Sequence, residues 1–232
     1  MTDFRRTILT LALAVLLGSA AAVPAAAQHT GHGEHGESEP MDHSAHTAMM
    51  ENAGERADQV TELDGLTIPD VEVVTQDGET VRFYSDLVEG KVVAMNFVFT
   101  TCTTICPPMG AIFGQLESRL GERAGRDVHL ISVSVDPTTD TPERLAEWAA
   151  KFGRTPGWTL VTGDKATVDS LLKSLQVFNA DFADHAPIVL LGYDAAGEWT
   201  RAYGLAPPET LVGILDDLAA ARGDGDAPAE DR

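Results

Sequence analysis

Residues 92–120 read VVAMNFVFTTCTTICPPMGAIFGQLESRL, and the fold is decided by how that stretch divides. Val92 to Phe99 is a short, almost continuously apolar run, the pattern of a parallel strand covered on both faces. From Met109 onward the apolar residues fall at helical spacing, through Ile112, Phe113, Leu116 and Leu120. Pro107-Pro108 stand at the start of that helix, where a missing N–H costs nothing. Between strand and helix lies Thr100 to Pro107, with the chain's two cysteines, Cys102 and Cys106. A strand feeding a helix through a polar, cysteine-bearing turn is a βα unit with its chemistry at the carboxyl end of the strand.

The same alternation continues outward. Val128 to Val135 reads as a second strand, and Asp140-Thr-Pro-Glu143 opens a helix carrying Leu145, Trp148, Ala149 and Phe152, stopped near Gly153. Thr159 to Val161 is strand-like and Val168 to Val177 helical. Ile188 to Leu191 and Trp199 to Tyr203 flank Asp194-Ala-Ala-Gly197 as a hairpin, and Pro208 starts a last helix through Leu211, Leu215 and Leu218. Upstream, Leu66 to Phe83 reads as a hairpin turning at Asp77-Gly78. A β-α-β-α order followed by two adjacent strands and a helix predicts an α/β, thioredoxin-like fold. The N-terminal hairpin and the elements around Thr159 are then extensions of it.

That topology brings a third residue to the cysteine turn. The strand starting near Ile188 is expected to run antiparallel to the first, so His185, just before it, faces the same rim. His129 lies inside the second strand and is read as structural. Asp181 and Asp184 precede His185 and are candidates to accept its free imidazole N–H.

The Cys102-x-x-x-Cys106 spacing suits two chemistries. Residues four apart on a helical turn have Cβ atoms about 5–6 Å apart, against the roughly 3.5–4.5 Å of a disulfide. Two thiolates on one ion, each about 2.3 Å from it, sit with their sulfurs about 4 Å apart, so the pair is either a metal clamp or a redox couple. A structural staple is the weaker reading, since so small a ring removes only about 2 kcal/mol of chain entropy. A Cys₂His set with three protein ligands favours copper, as Cu(I) or Cu(II), over a structural zinc, which asks for four. The positive end of the following helix is expected to lower both thiol pKa values.

The ends of the chain are of another kind. Arg5-Arg6 precede an apolar run from Ile8 to about Val23 that ends in Pro24-Ala25-Ala26-Ala27, which reads as a signal peptide over residues 1–27. The run is short for a membrane span. Export places the chain in the periplasm, with an inner-membrane anchor as the alternative if the segment is not cleaved. Residues 28–58 hold His29, His32, His35, Met41, His43, His46, Met49 and Met50 with few large apolar side chains, a composition expected to stay disordered. Its imidazoles and thioethers suit copper, and a plain tether is the alternative. The domain is expected over residues 59–222, followed by an acidic disordered tail over 223–232. With 36 acidic against 16 basic residues and a net charge of −20, nucleic acid is excluded as a partner, because phosphate binding needs basic surface. In an oxidising compartment two cysteines default to one disulfide.

Four stretches, TTCTTICPPM (100–109), SVDPTTDTPE (134–143), WTLVTG (158–163) and DHAPIVLLGYDAAGEW (184–199), resemble the Sco/SenC family in order and spacing. The resemblance covers about Leu66 to Leu218. It implies a thioredoxin-like copper protein that helps mature the dinuclear copper centre of cytochrome c oxidase, with Cys102, Cys106 and His185 as copper ligands. The implied partners are the copper-bearing oxidase subunit and other periplasmic copper chaperones, with the membrane reached only through that client or an uncleaved anchor. Where the family often has Pro after the first Cys and an acidic loop residue, this chain has Thr103 and Thr104; Pro187 is also outside the common pattern. The rival functions are a thiol–disulfide oxidoreductase using Cys102 and Cys106 as a redox-active pair, and a copper buffer. A peroxidase on the same fold would need Pro and Thr where this chain has Met95 and Phe99.

Overall fold

The computed structural model describes residues 60–182 and 185–225. The expected signal peptide and His/Met-rich segment, and Asp184, lie outside the described residues. So do residues 226–232.

Eight strands form one mixed sheet in the order β1-β8-β7-β4-β5-β6-β2-β3. They are β1 (Val60–Glu62), β2 (Glu72–Thr75), β3 (Thr80–Arg82), β4 (Val92–Val98), β5 (Val128–Ser134), β6 (Trp158–Thr162), β7 (Ile188–Tyr193) and β8 (Glu198–Tyr203). The helices are α1 (Phe83–Leu87), α2 (Cys106–Leu120), α3 (Pro142–Ala150), α4 (Lys165–Ser174) and α5 (Pro208–Gly225). β4, β5 and β6 are mutually parallel neighbours joined by α2 and α3. β7 returns antiparallel on the other side of β4, with Asn96 opposite Val189, and β8 pairs antiparallel with β7. All seven residues of β4 are buried, as a central strand covered on both faces requires. The thioredoxin-like arrangement expected from the order of elements is therefore the one observed.

Helix α2 is held unusually close to its neighbour. A Cβ on Gly114 would lie 2.2 Å from the Phe152 carbonyl oxygen, so only glycine admits this approach. Phe113 of α2 and Trp148 of α3 both pack on Trp158 of β6, with ring centroids 5.7 and 6.2 Å apart, so the two helices share a face of the sheet. Helix α5 packs against α2 and against β4 and β7. Beneath α2, the Trp158 indole N–H donates to the Ser132 hydroxyl at 2.8 Å, and that hydroxyl donates to the Asn96 carbonyl oxygen.

Several boundaries differ from the sequence reading. The hairpin does turn at Asp77-Gly78, with Gly78 at φ 80°. It joins the sheet outside β6, however, and Phe83 leaves it to start α1, where the Arg82 N–H donates to the Asp86 carboxylate at 2.7 Å. Helix α4 begins three residues before Val168, because the Asp164 carboxylate accepts the Ala166 and Thr167 N–H groups, a cap that the search for apolar spacing passes over. It ends at Ser174, short of Val177, just before Gln176 turns to φ 59°. Strand β1, three exposed residues on β8, carries no apolar alternation to announce it. Helix α5 runs on to Gly225, beyond the boundary drawn at 222 from composition. Among the described residues no helix is long and apolar enough to cross a membrane.

Candidate metal centre

The turn that follows β4 is set by hydrogen bonds rather than by helix. Its first residue, Thr100, gives both its N–H and its hydroxyl to one oxygen of Asp140, at 3.0 and 2.6 Å. The other Asp140 oxygen accepts the Ser134 hydroxyl at 2.7 Å. Asp140 is 1% exposed, and burial pushes its carboxyl pKa up while the Thr100 and Ser134 hydrogen bonds pull against that shift. The carboxylate thus ties the carboxyl ends of β4 and β5 to one another at the mouth of the cysteine turn. Sequence reasoning placed Asp140 only at the opening of α3. The cap there is Thr141, whose hydroxyl accepts the Arg144 N–H. The available signal was that Thr141-Pro142 already suffices to start a helix, which leaves Asp140 without a local task.

Beyond Thr100, Cys102 donates its N–H to the Phe99 carbonyl at 3.2 Å, and its sulfur accepts the Cys106 N–H at 3.3 Å. Cys106 is the first residue of α2, so the helix begins at the second cysteine and not at Pro108. The Cys102 sulfur therefore occupies the position from which a side chain satisfies an orphan N–H at a helix start. The Thr104 hydroxyl lies 3.6 Å from the same sulfur. Both cysteines are buried free thiols, Cys106 completely so.

This arrangement divides the two thiols, contrary to the expectation that both would become more acidic. The Cys106 S–H donates to the Cys102 sulfur, and with the Cys106 N–H and the Thr104 hydroxyl it holds Cys102 well below the ordinary thiol range, to about 4, although burial opposes the shift. Cys106 moves the other way, because donating to Cys102 and lying buried both favour its protonated form. One proton shared between two sulfurs serves only one of them. Since the Cys102 pKa is lowered, its thiolate persists as pH falls until about 4. Alkylation of Cys102 by iodoacetamide, followed by mass spectrometry, is therefore expected to proceed at a nearly constant rate from pH 8 to pH 6 and to fall only near pH 4. A midpoint above pH 8 would contradict the geometry.

His185 lies at the same rim, as expected. Its Nε2 is 3.1 Å from the Phe97 carbonyl at the end of β4, and its Nδ1 is 2.8 Å from the Phe182 carbonyl. The ring is 6% exposed and packs edge-on against Phe99, with centroids 5.6 Å apart. The partner on the Nδ1 side is thus a backbone carbonyl and not the carboxylate of Asp181, whose N–H is itself turned to Asn179. Both ring nitrogens thus face backbone carbonyls, which accept from a ring nitrogen that carries hydrogen.

The structure brings the two cysteines together and sets His185 beside the strand end that carries them. Among the described residues no three His, Cys, Asp or Glu side chains are already gathered around a common point that would hold a metal. The donors nonetheless fit a soft ion, with two adjacent sulfurs and an imidazole that must release Phe97 to offer its Nε2. His129 sits half-buried within β5, away from the rim.

A thioredoxin-like sheet with a Cys-x-x-x-Cys turn at the end of its central strand and a histidine at the same rim defines the class of protein. The SCO1/SenC family model matches residues 59–203, more than half of the chain, and the chain belongs to that family. A SCO1 protein homolog of Bacillus subtilis is 40% identical over 89 residues, 38% of this chain and 45% of that protein. The chain spans about half the length of the curated relatives it matches first. Among solved structures, BsSco, described as a member of the Sco family of cytochrome c oxidase assembly proteins with a disulfide switch, is 27% identical. Its TM-score is 0.57, covering 69% of this chain and 96% of that one. ScoI of Bradyrhizobium japonicum with copper bound is 25% identical at a TM-score of 0.55, covering 66% and 99%.

Proposed function

We propose that this protein is an exported copper chaperone that holds copper between Cys102, Cys106 and His185 and assists maturation of the dinuclear copper centre of cytochrome c oxidase. The observation that carries the reading is the sulfur pair at the start of α2, with the Cys106 N–H on the Cys102 sulfur at 3.3 Å, set beside His185 at the carboxyl end of β4. Membership of a family with a copper-bound solved member supports it. Copper would supply a soft acceptor for both thiolates, while the imidazole adds a nitrogen that a divalent ion needs more than a monovalent one does. BsSco is described as a member of a family of cytochrome c oxidase assembly proteins, which supports the oxidase as client; the proposed partner is its copper-bearing subunit, and the proposed compartment is the periplasm, reached by way of the N-terminal segment.

A second reading rests on the division between the thiols. A thiol held to about 4 beside a protonated, buried partner is also how an attacking cysteine and its resolving partner are arranged. Copper analysis of the protein recovered from the periplasmic fraction, reduced and oxidised, separates the two. The reduced protein is expected to bind copper and the disulfide form to lose the core site. Deleting Gln28–Glu51 is expected to lower the copper content and leave a single site. A truncated, reduced protein that binds no copper would overturn the chaperone reading.

A further inference from the structure

Phe182 is one of three large apolar side chains left exposed among the described residues, at 37%. Burial alone gives such a ring little reason to be there, yet it is tied to the rim of the sheet from two directions. Its ring packs edge-on against Phe99, with centroids 5.2 Å apart and planes at 75°. Its carbonyl accepts the His185 N–H at 3.3 Å and lies 2.8 Å from His185 Nδ1. Phe99 in turn packs edge-on against the imidazole, at 5.6 Å and 68°. One phenyl ring, Phe99, therefore meets both Phe182 and His185 in the edge-to-face geometry that the aromatic quadrupole favours.

Phe99 also belongs to the cysteine turn. Its carbonyl accepts the Cys102 N–H at 3.2 Å, so the residue that seats the imidazole through its ring fixes the first cysteine through its backbone. The placing of the imidazole relative to the sulfurs thus runs through Phe99, and Phe182 decides how His185 lies on it. The two carbonyls that face His185 have different tasks. Phe97 faces Nε2 at 3.1 Å from the neighbouring strand β4. The Phe182 carbonyl lies in His185's own segment, takes its backbone N–H as well and faces Nδ1. Once Nε2 leaves Phe97 for a metal, the hydrogen of the neutral ring stands on Nδ1 and the Phe182 carbonyl is its acceptor. Such a bond fixes the tautomer and the orientation of a ligating histidine.

From this geometry we propose that Phe182 is a positioning residue for the metal centre, whose ring, seated on Phe99, holds the carbonyl that orients the His185 imidazole toward Cys102 and Cys106. The inference rests on the copper reading of the site and deepens it, by naming the residue that makes the imidazole available to a divalent ion. The Phe182 ring offers no ligand atom and acts through His185. The sulfur pair is held by other groups, the Cys106 N–H and the Thr104 hydroxyl on the Cys102 sulfur. A role confined to the imidazole separates the two oxidation states of copper, since a dithiolate without the nitrogen tolerates Cu(I) and holds Cu(II) poorly.

The test uses the full mature chain, reduced and metal-free at the start, titrated with each ion against a competing chelator. Cu(II) at the core is read from the thiolate-to-Cu(II) charge-transfer absorption, which needs a cysteine ligand. Cu(I) at the core is read as protection of Cys102 and Cys106 from alkylation. Phe182→Ala is expected to lower Cu(II) affinity about 10–100-fold, the cost of losing an outer partner of a metal ligand. Cu(I) protection and the urea midpoint of the metal-free protein are expected to stay near those of the wild type. Phe182→Tyr keeps the ring and is expected to restore the Cu(II) affinity. In a His185→Ala background, Phe182→Ala is expected to cost nothing further. Wild-type Cu(II) affinity in Phe182→Ala, a matching loss of Cu(I) protection, or an equal loss with and without His185 would each overturn the positioning role while the copper site stands. Absence of the charge-transfer band from the wild-type protein would instead remove the Cu(II) site itself, and the role with it.

Discussion

Exchange of His185 for Ala is expected to leave Cys102 and Cys106 able to form and break their bond while Cu(II) binding collapses. The imidazole packs against Phe99, at the start of the cysteine turn, and its ring nitrogens face the backbone carbonyls of Phe97 and Phe182. Nothing in the pairing of the two sulfurs depends on it. Copper sees the difference sharply. Without the nitrogen the site is a two-coordinate dithiolate, which tolerates Cu(I) and holds Cu(II) poorly. The fall in Cu(II) affinity is expected to exceed the roughly 10–100-fold that loss of an outer-shell partner costs a metal site, measured by competition with a chromophoric chelator. Cys102→Ser and Cys106→Ser should abolish both copper binding and thiol exchange. In cells, the His185→Ala strain is expected to lose cytochrome oxidase activity at limiting copper and to recover part of it when copper is added, because the client can then load by mass action. Full oxidase activity in that strain at limiting copper would sink the chaperone and favour the thiol–disulfide oxidoreductase.

The second large effect is expected at Asp140. Removing its carboxyl with Asp140→Ala leaves the Thr100 N–H, the Thr100 hydroxyl and the Ser134 hydroxyl without their acceptor in a buried place. Three hydrogen bonds lost at about 1 kcal/mol each give about 3 kcal/mol, or about 6–12 °C in Tm for a domain of this size. Asp140→Asn keeps the shape and at least one acceptor, so its loss should be much smaller. Thr100 begins the cysteine turn, so the alanine variant should also bind copper more weakly in the fraction that remains folded, read by urea titration with and without copper. Equal stability of the alanine and wild-type proteins would show that the carboxylate does not tie the two strand ends.

How much of this was legible beforehand depends on the range of the interaction. Val92 to Val98 announces itself as a buried strand because seven consecutive residues answer to the same environment. Cys102 and Cys106 could be placed because both sit in the one turn between strand and helix. His185 could be placed because the hairpin after it fixes the direction of β7 relative to β4. The roles of Asp140 and of the Phe97 carbonyl were not legible, since a hydrogen bond between residues 40 or 88 positions apart leaves no periodic trace. The opposite behaviour of the two thiols was hidden for a related reason. A helix terminus acts on both alike, whereas Cys102 is lowered by accepting from Cys106 and Thr104 and Cys106 is raised by its bond to Cys102 and its burial.

The sheet is open, with β1 and β3 at its two borders, and each border strand is three residues long. An open sheet offers unpaired N–H and C=O groups along both margins, and a neighbouring molecule can extend such a ladder into an aggregate. Three residues supply too few free groups for a foreign strand to hold against its loss of conformational freedom. The seven-residue strands whose apolar sequences would template stacking most readily, β4 and β5, are enclosed by partners on both sides. Among the described residues the short borders therefore act as blunted ends, which disfavour extension of the eight-stranded sheet by a neighbouring molecule.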